Sequence, residues 1–164
     1  GIHTVGHGDD SFHFDNEKPA HRALVGPVKL ARNLVTNAEW LAFMKDGGYA
    51  TATLWLMDGF AAVGNEGWQA PGHWRQAGGE WRIMTLGGLQ PIDPSAPVSH
   101  VSYYEADAFA RWKSETFADC NDVRLPSEGE WEDAARCLSL PTTPHRSTVI
   151  ADLHGVLWQW TSSY

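Results

Sequence analysis

The sequence predicts an α+β domain with little regular secondary structure, and three observations carry that expectation. Capping boxes stand at Thr36 to Glu39, Ser102 to Glu105 and Ser127 to Glu130. In each, a hydroxyl accepts from a free N–H of the first helical turn while the carboxylate accepts from the cap backbone. Nine Trp accompany 16 Gly and 9 Pro in 164 residues, a mix that suits an irregular fold filled by a few large rings. Residues 49–96 hold no long periodic segment, and the strand-like runs elsewhere are short.

Ile2 and Val5 alternate weakly in a Gly-rich start, which predicts a short strand and turn over residues 1–10. Residues 12–19 read as a polar connection around Asp15, Asn16 and Glu17. Leu24, Val25 and Val28 alternate loosely, and Pro27 demotes residues 21–30 to an edge strand. The Thr36 box leads into Trp40, Phe43 and Met44, predicting a helix over residues 37–46 that stops at Gly47-Gly48. Gly78-Gly79 between Trp74 and Trp81 predicts a hairpin. Pro97 opens a β-prone run with Val98 and Val101, and the Ser102 box starts a helix over residues 103–116 directly after it. Ala106, Phe109, Ala110 and Lys113 mark a narrow, small-residue face on that helix. Trp131, Ala134 and Ala135 give the face of a helix over residues 128–136. Trp158 and Trp160 are read as strand residues, one filling core while the other faces a pocket. No repeat or linker interrupts residues 1–164, which read as one domain.

Composition excludes several function classes. The net charge is −8, and the 12 Lys and Arg do not cluster, which argues against nucleic acid. No apolar run approaches the ~18 residues of a membrane-spanning helix. Residues 1–20 are acidic and His-rich, unlike a signal peptide. Two thiols, Cys120 and Cys137, suit a reducing compartment, so a cytoplasmic protein is expected, with their pairing left open. The run His3-Thr4-Val5-Gly6-His7-Gly8-Asp9 has the spacing of a two-His-one-carboxylate iron site. Gly6 and Gly8 disfavour a helix there, and on a strand the two rings stand ~13 Å apart. The expectation is therefore exposed histidines and no metal site. His100 is expected to hydrogen-bond the backbone, and single Trp residues to fill core. Asp15, Asn16 and Glu17 have no packing reason to be polar, which marks them as candidates beside the ordinary polarity of a loop.

Val35-Thr36-Asn37-Ala38-Glu39-Trp40, Pro97-Val98-Ser99-His100-Val101-Ser102, Arg124-Leu125-Pro126-Ser127-Glu128-Gly129-Glu130-Trp131 and Gly155-Val156-Leu157-Trp158-Gln159-Trp160-Thr161 occur in that order. They resemble the successive signatures of the formylglycine-generating-enzyme (sulfatase-modifying-factor) superfamily, which implies a C-type-lectin-like fold. Phe14-Asp15-Asn16-Glu17-Lys18-Pro19, Asp46-Gly47-Gly48-Tyr49, Leu54-Trp55-Leu56-Met57-Asp58-Gly59 and His100 to Ala108 are more narrowly similar to the C-terminal domain of ergothioneine-biosynthesis sulfoxide synthases.

That resemblance implies the substrate-shaping domain of an enzyme that uses iron(II) and oxygen to join a thiol to trimethylhistidine. It puts the iron on histidines of an N-terminal helical-bundle domain, so iron is expected only in that partner and none in this chain. It implies a pocket for small-molecule substrates where Asp15, Asn16 and Glu17 meet the strand ending at Trp160, with Tyr164 as the catalytic candidate. The superfamily continues past the last Trp-x-Trp-Thr, so the domain is expected to be incomplete at its C-terminus. Val156 and Gln159 stand where relatives carry Asn or Asp and then Glu, and Gln is a weak calcium ligand. Neither cysteine matches the copper-binding pair of formylglycine-generating enzymes. The alternatives are such an enzyme acting on a sulfatase cysteine, and a non-enzymatic lectin-like binding module.

Overall fold

The structure, a computed structural model, describes residues 1–117, 122–139, 150 and 152–163. In chain order the elements are strands β1 (Ile2–Val5) and β2 (His21–Leu24), helices α1 (Asn37–Lys45) and α2 (Met57–Glu66), strands β3 (Trp74–Ala77), β4 (Glu80–Thr85) and β5 (Gly88–Pro91), and helices α3 (Tyr103–Thr116) and α4 (Glu128–Ser139). Short 3-10 turns cover Asp15–Glu17 and Ala52–Leu54. Helices thus mix with small antiparallel sheets, β1-β2 and β3-β4-β5. The chain divides into two units, Leu34–Leu125, and Gly1–Asn33 with Pro126–Tyr164.

In the unit Leu34–Leu125, α1 opens on its expected box: Glu39 N donates to Thr36 Oγ1 at 3.3 Å and Thr36 N to Glu39 Oε2 at 2.9 Å. It buries Asn37, Trp40 and Phe43. Gly48 N then donates to Phe43 O at 3.0 Å and Gly47 N to Met44 O at 3.1 Å. These are the two bonds of a Schellman motif, and Gly47 supplies its left-handed residue at φ +78°. Gly48 meets a different demand, because a Cβ there would lie 2.1 Å from the Phe43 ring.

Helix α3 spans its expected residues, and its inward face is the expected one in part. Phe109 and Ala110 are buried as read, together with Glu105, Ala108 and Trp112, whereas Ala106 and Lys113 are half-buried. Large rings stand among the alanines because α1 offers rings to meet them. Phe109 stacks on Trp40 at 5.0 Å and 9°, and Phe43 sets its edge against Trp40, Phe109 and Trp112 at 5.4–5.7 Å. Each such pair adds about 0.5–1.5 kcal/mol beyond its buried area. Glu105 is 3% exposed. Its Oε2 accepts from Ser102 N at 2.7 Å, and its Oε1 accepts from the Tyr49 hydroxyl at 2.5 Å. Burial pushes the Glu105 carboxyl up, and the bonds from Ser102 and Tyr49 offset only part of this. Burial, and then the neighbouring carboxylate, push the Tyr49 hydroxyl up as well.

Three further departures from the sequence reading lie in this unit. Helix α2 falls within residues read as aperiodic. Leu56 gives it no side-chain cap, and Gly59 and Gly64 lower its helical propensity. Tertiary contact overrides both, since Gly59 lets α2 approach Tyr104, whose side chain would lie 2.7 Å from a Cβ. The hairpin turns at Gly78-Gly79 as expected, both with positive φ, and β5 extends it by a further strand. The run from Pro97 forms only a single bridge, Pro97 with Thr36. His100, at φ +62°, turns the chain before Ser102, so no strand leads directly into α3.

In the other unit, β1 and β2 pair from Ile2↔Leu24 to Val5↔His21. β2 is shorter than residues 21–30 because Gly26 and Pro27 follow it. Helix α4 opens on the Ser127–Glu130 box, with Ser127 N donating to Glu130 Oε2 at 2.8 Å and Glu130 N to Ser127 Oγ at 3.2 Å. Its polar face is tied to the first strand. Gly6 N donates to the Glu132 carboxylate at 2.9 Å, Arg136 donates to Gly6 O at 2.6 Å, and His3 pairs with Asp133 at 2.5 Å.

Two expected outcomes follow from this packing. Gly48→Ala should lose about 1–3 kcal/mol through overpacking against Phe43. Gly64→Ala, on α2 with nothing within 4 Å of its Cβ, should instead gain about 0.5–1 kcal/mol. Urea unfolding measures both, and a Gly48→Ala midpoint at or above wild type would refute the contact. The second concerns pH. Below the ordinary glutamate range Glu105 is protonated whether folded or unfolded; above it, the unfolded chain releases a proton that the folded chain keeps. The unfolded state then binds fewer protons, so Glu105 contributes stability that falls as pH rises through its raised value. Urea unfolding of wild type and Glu105→Gln across that range isolates this group: the stability of wild type relative to the variant should fall as pH rises from acid to neutral. A difference that grows with pH would contradict the sign.

Candidate functional site

Asp15, Asn16 and Glu17 form an exposed 3-10 turn in the unit that contains β1 and α4. Glu17 is committed locally: its carboxylate accepts from Phe14 N at 2.9 Å and its carbonyl accepts from His7 N at 2.7 Å. That leaves the Asp15 and Asn16 side chains as the exposed polar face of the turn. Beside it His7 stacks on His13 at 4.8 Å and 14°, and His7 Nε2 lies 2.8 Å from Asp9 Oδ1. Hydrogen bonds from the Ser11 hydroxyl and backbone, more than the nearby His7, hold the Asp9 carboxyl at about 2.

The C-terminal segment corrects the expectation of alternating tryptophans. Residues 157–160 form no strand, and neither ring fills core, Trp158 being 99% and Trp160 49% exposed. The physical reason is how the segment is held. Trp131 Nε1 donates to Gln159 Oε1 at 3.0 Å, Gln159 Nε2 donates to the Asp152 and Leu153 carbonyls at 3.0 and 3.1 Å, and Ser162 N donates to Pro126 O at 2.8 Å. Side-chain bonds replace a ladder here, and a strand would in any case turn residues two apart to the same face, so it could not have divided the two rings between core and pocket. Tyr164 lies outside the described residues, as do Cys120 and the Cys137 side chain.

His3 and His7 are half-buried rather than exposed, and each is turned to its own carboxylate, Asp133 and Asp9. Among the described residues no three His, Cys, Asp or Glu side chains converge as a metal set. His3, His7 and Asp9 are therefore not gathered into one two-His-one-carboxylate set.

A second concave feature lies in the unit Leu34–Leu125 and was not read from the sequence. Tyr49, Trp68 and Trp81 wall a cleft of about 670 Å³, with Lys45, Gln69 and Gln76 at its polar edge. Trp68 is held by its indole N–H donating to Glu66 at 2.9 Å. The cleft offers ring faces, two carboxamides and one ammonium, a set suited to a small apolar or cyclic group. The only sequence signal for it is the spacing of Trp68 and Trp81 around the Gly78-Gly79 hairpin, which reads equally as core.

Known proteins place this architecture. The Sulfatase-modifying factor enzyme 1-like domain matches residues 1–143. Hercynine oxygenase of Mycolicibacterium thermoresistibile is 40% identical over 138 residues, which cover 84% of this chain and 28% of that protein. Its counterpart in Mycobacterium tuberculosis is 39% identical over 138 residues, 84% of this chain and 30% of the relative. Formylglycine-generating enzyme of Streptomyces coelicolor is 34% identical over 134 residues, 74% of this chain and 40% of that enzyme. The matched stretch is thus less than a third of these hercynine oxygenases. No helix among the described residues is long and apolar enough to cross a membrane. Three of the four superfamily signatures lie wholly within the matched residues, and the chain belongs to the sulfatase-modifying factor enzyme 1-like domain family.

Proposed function

We propose that this chain is the substrate-shaping domain of an iron(II)- and oxygen-dependent sulfoxide synthase that joins a thiol to trimethylhistidine in ergothioneine biosynthesis. One observation carries the reading: identity to three hercynine oxygenases is 38–40%, against 29–34% for the formylglycine-generating enzymes. The fold is taken as C-type-lectin-like, residues 1–164 as one such domain, and the compartment as cytoplasmic. Iron belongs to an N-terminal iron-binding domain, whose metal supplies the oxygen chemistry.

In this reading the chain's own residues bind and orient. Asp15 and Asn16 present polar atoms, and the exposed Trp160 ring offers a face to a trimethylammonium group, worth ~0.5–2 kcal/mol. Tyr164 is the catalytic candidate. Holding two substrates in line supplies much of a two-substrate rate, and the net charge of −8 suits a cationic substrate. The formylglycine-generating reading rests on the lower identities and is separated from the first by its product, an aldehyde on a sulfatase peptide.

With the iron-binding domain supplied, Asn16→Ala, Trp160→Leu and Tyr164→Phe should each lower sulfoxide formation by roughly ten- to a hundredfold. Lys29→Ala, an exposed control, should keep full activity. Full activity in all four variants would put the pocket elsewhere. For the chain by itself, anaerobic iron(II) loading should leave well under an equivalent after desalting. Stoichiometric iron that disappears on changing His3 and His7 would contradict the assignment of iron to the partner domain.

A further inference from the structure

We infer that His73 and His100 form an open two-imidazole site for a late divalent transition-metal ion, copper(II) foremost. The inference is independent of the reaction proposed above and lies in the unit Leu34–Leu125. The two rings are exposed, with centroids 4.6 Å apart and planes at 83°. A metal–nitrogen bond of about 2.0–2.1 Å puts an imidazole centroid roughly 3 Å from the ion, so two cis imidazoles have centroids about 4.5–5 Å apart. The spacing together with the near-perpendicular planes, unlike the 14° face-to-face stack of His7 on His13, is that of a pair able to share one ion.

The backbone is the second observation. Both residues are left-handed, His73 at φ +67° and His100 at φ +62°. For a residue with a Cβ this costs roughly 1–2 kcal/mol, and glycine or asparagine would relieve it. Two strained side chains facing one another point to function rather than accident. The arrangement is pinned from both sides: Met84 N donates to His73 O at 2.8 Å, and Gly72 N to His100 O at 2.9 Å. Gly72 matters here, because a Cβ would lie 3.1 Å from the His100 carbonyl. The sequence reading gave His100 a backbone hydrogen bond; its carbonyl makes one, and its ring is left to His73.

Neutral imidazoles suit copper, zinc and nickel, and copper(II) stands highest in affinity for such a site. Among the described residues no third His, Cys, Asp or Glu joins the pair. Water therefore completes the coordination, and the site is an open one rather than a closed structural zinc site.

All measurements use protein whose N-terminal amine is acetylated, because a free Gly1-Ile2-His3 terminus would itself chelate copper(II). Copper(II) titrated into that chain, followed by EPR, should reveal one saturable ion with two equatorial nitrogens. His73→Asn and His100→Asn keep a side chain that tolerates positive φ. Each should weaken binding by at least the roughly tenfold that losing an outer-shell partner costs. His7→Asn, which breaks the face-to-face His7–His13 stack, should leave it unchanged. In the wild-type chain, substoichiometric copper(II) should broaden the His73 and His100 imidazole NMR signals ahead of other histidines, a readout that needs no variant to fold. Wild-type affinity in either site variant, broadening that begins elsewhere, or no saturable binding would each overturn the site.

Discussion

The Glu105 carboxylate is asked to serve two structures at once. Its Oε2 closes the capping box of α3, and its Oε1 receives the hydroxyl of Tyr49, 56 residues earlier in the chain. A glutamate at the third helical position normally leans back toward the cap with its outer oxygen in water. Here the inward face of α3 begins at that same residue, so the outer oxygen is desolvated and needs a partner. Tyr49 is available because the Gly47-Gly48 motif ends α1 and aims the next residue into the core. The end of one helix and the start of another thus meet on a single buried group. Removing either partner leaves the other unsatisfied, which costs more than the bond itself contributes. With those two ends fixed, the stacking of Phe109 on Trp40 and the edge contacts of Phe43 fall into place.

Glu39 occupies the same position in the same motif and behaves in the opposite way. Burial alone would raise its carboxyl, but hydrogen bonds from Lys113 at 2.5 Å and from Thr36 outweigh that and hold it below the ordinary range. Cap geometry is common to the two glutamates; what differs is whether the free oxygen meets a neutral hydroxyl in the core or an ammonium near the surface. A capping box read in a sequence therefore locates a helix start without revealing the charge state of its glutamate.

This explains how much of the fold was legible. The three boxes, the Gly47-Gly48 stop and the Gly78-Gly79 hairpin are local chemistry, and each appears where its residues stand. Helix α2 has no local chemistry of its own and exists because Gly59 admits Tyr104, a contact no window of sequence displays. The inward face of α3 was read only in part for a related reason: Phe109 and Ala110 are buried, but Trp112 joins them in place of Lys113, which no pattern shows until the partner helix is known. Asp15, Asn16 and Glu17 were legible as an unexplained polar turn, yet Glu17 proves committed to capping. His73 and His100 were beyond reach, because a left-handed φ at a histidine leaves no mark in composition or spacing.

Gln159 shows how the C-terminal segment manages without regular structure. By resemblance, relatives carry a glutamate here, where a carboxylate would favour a hard cation. The carboxamide divides the work differently: its Oε1 accepts from Trp131, while its two N–H bonds go to the carbonyls of Asp152 and Leu153. A carboxylate has no hydrogen to give those carbonyls and would face them oxygen to oxygen, an arrangement that needs an intervening cation. The amide supplies the positive edge that such an ion would otherwise provide. The turn of 152–155 and the segment bearing Trp160 are thereby joined through one uncharged side chain.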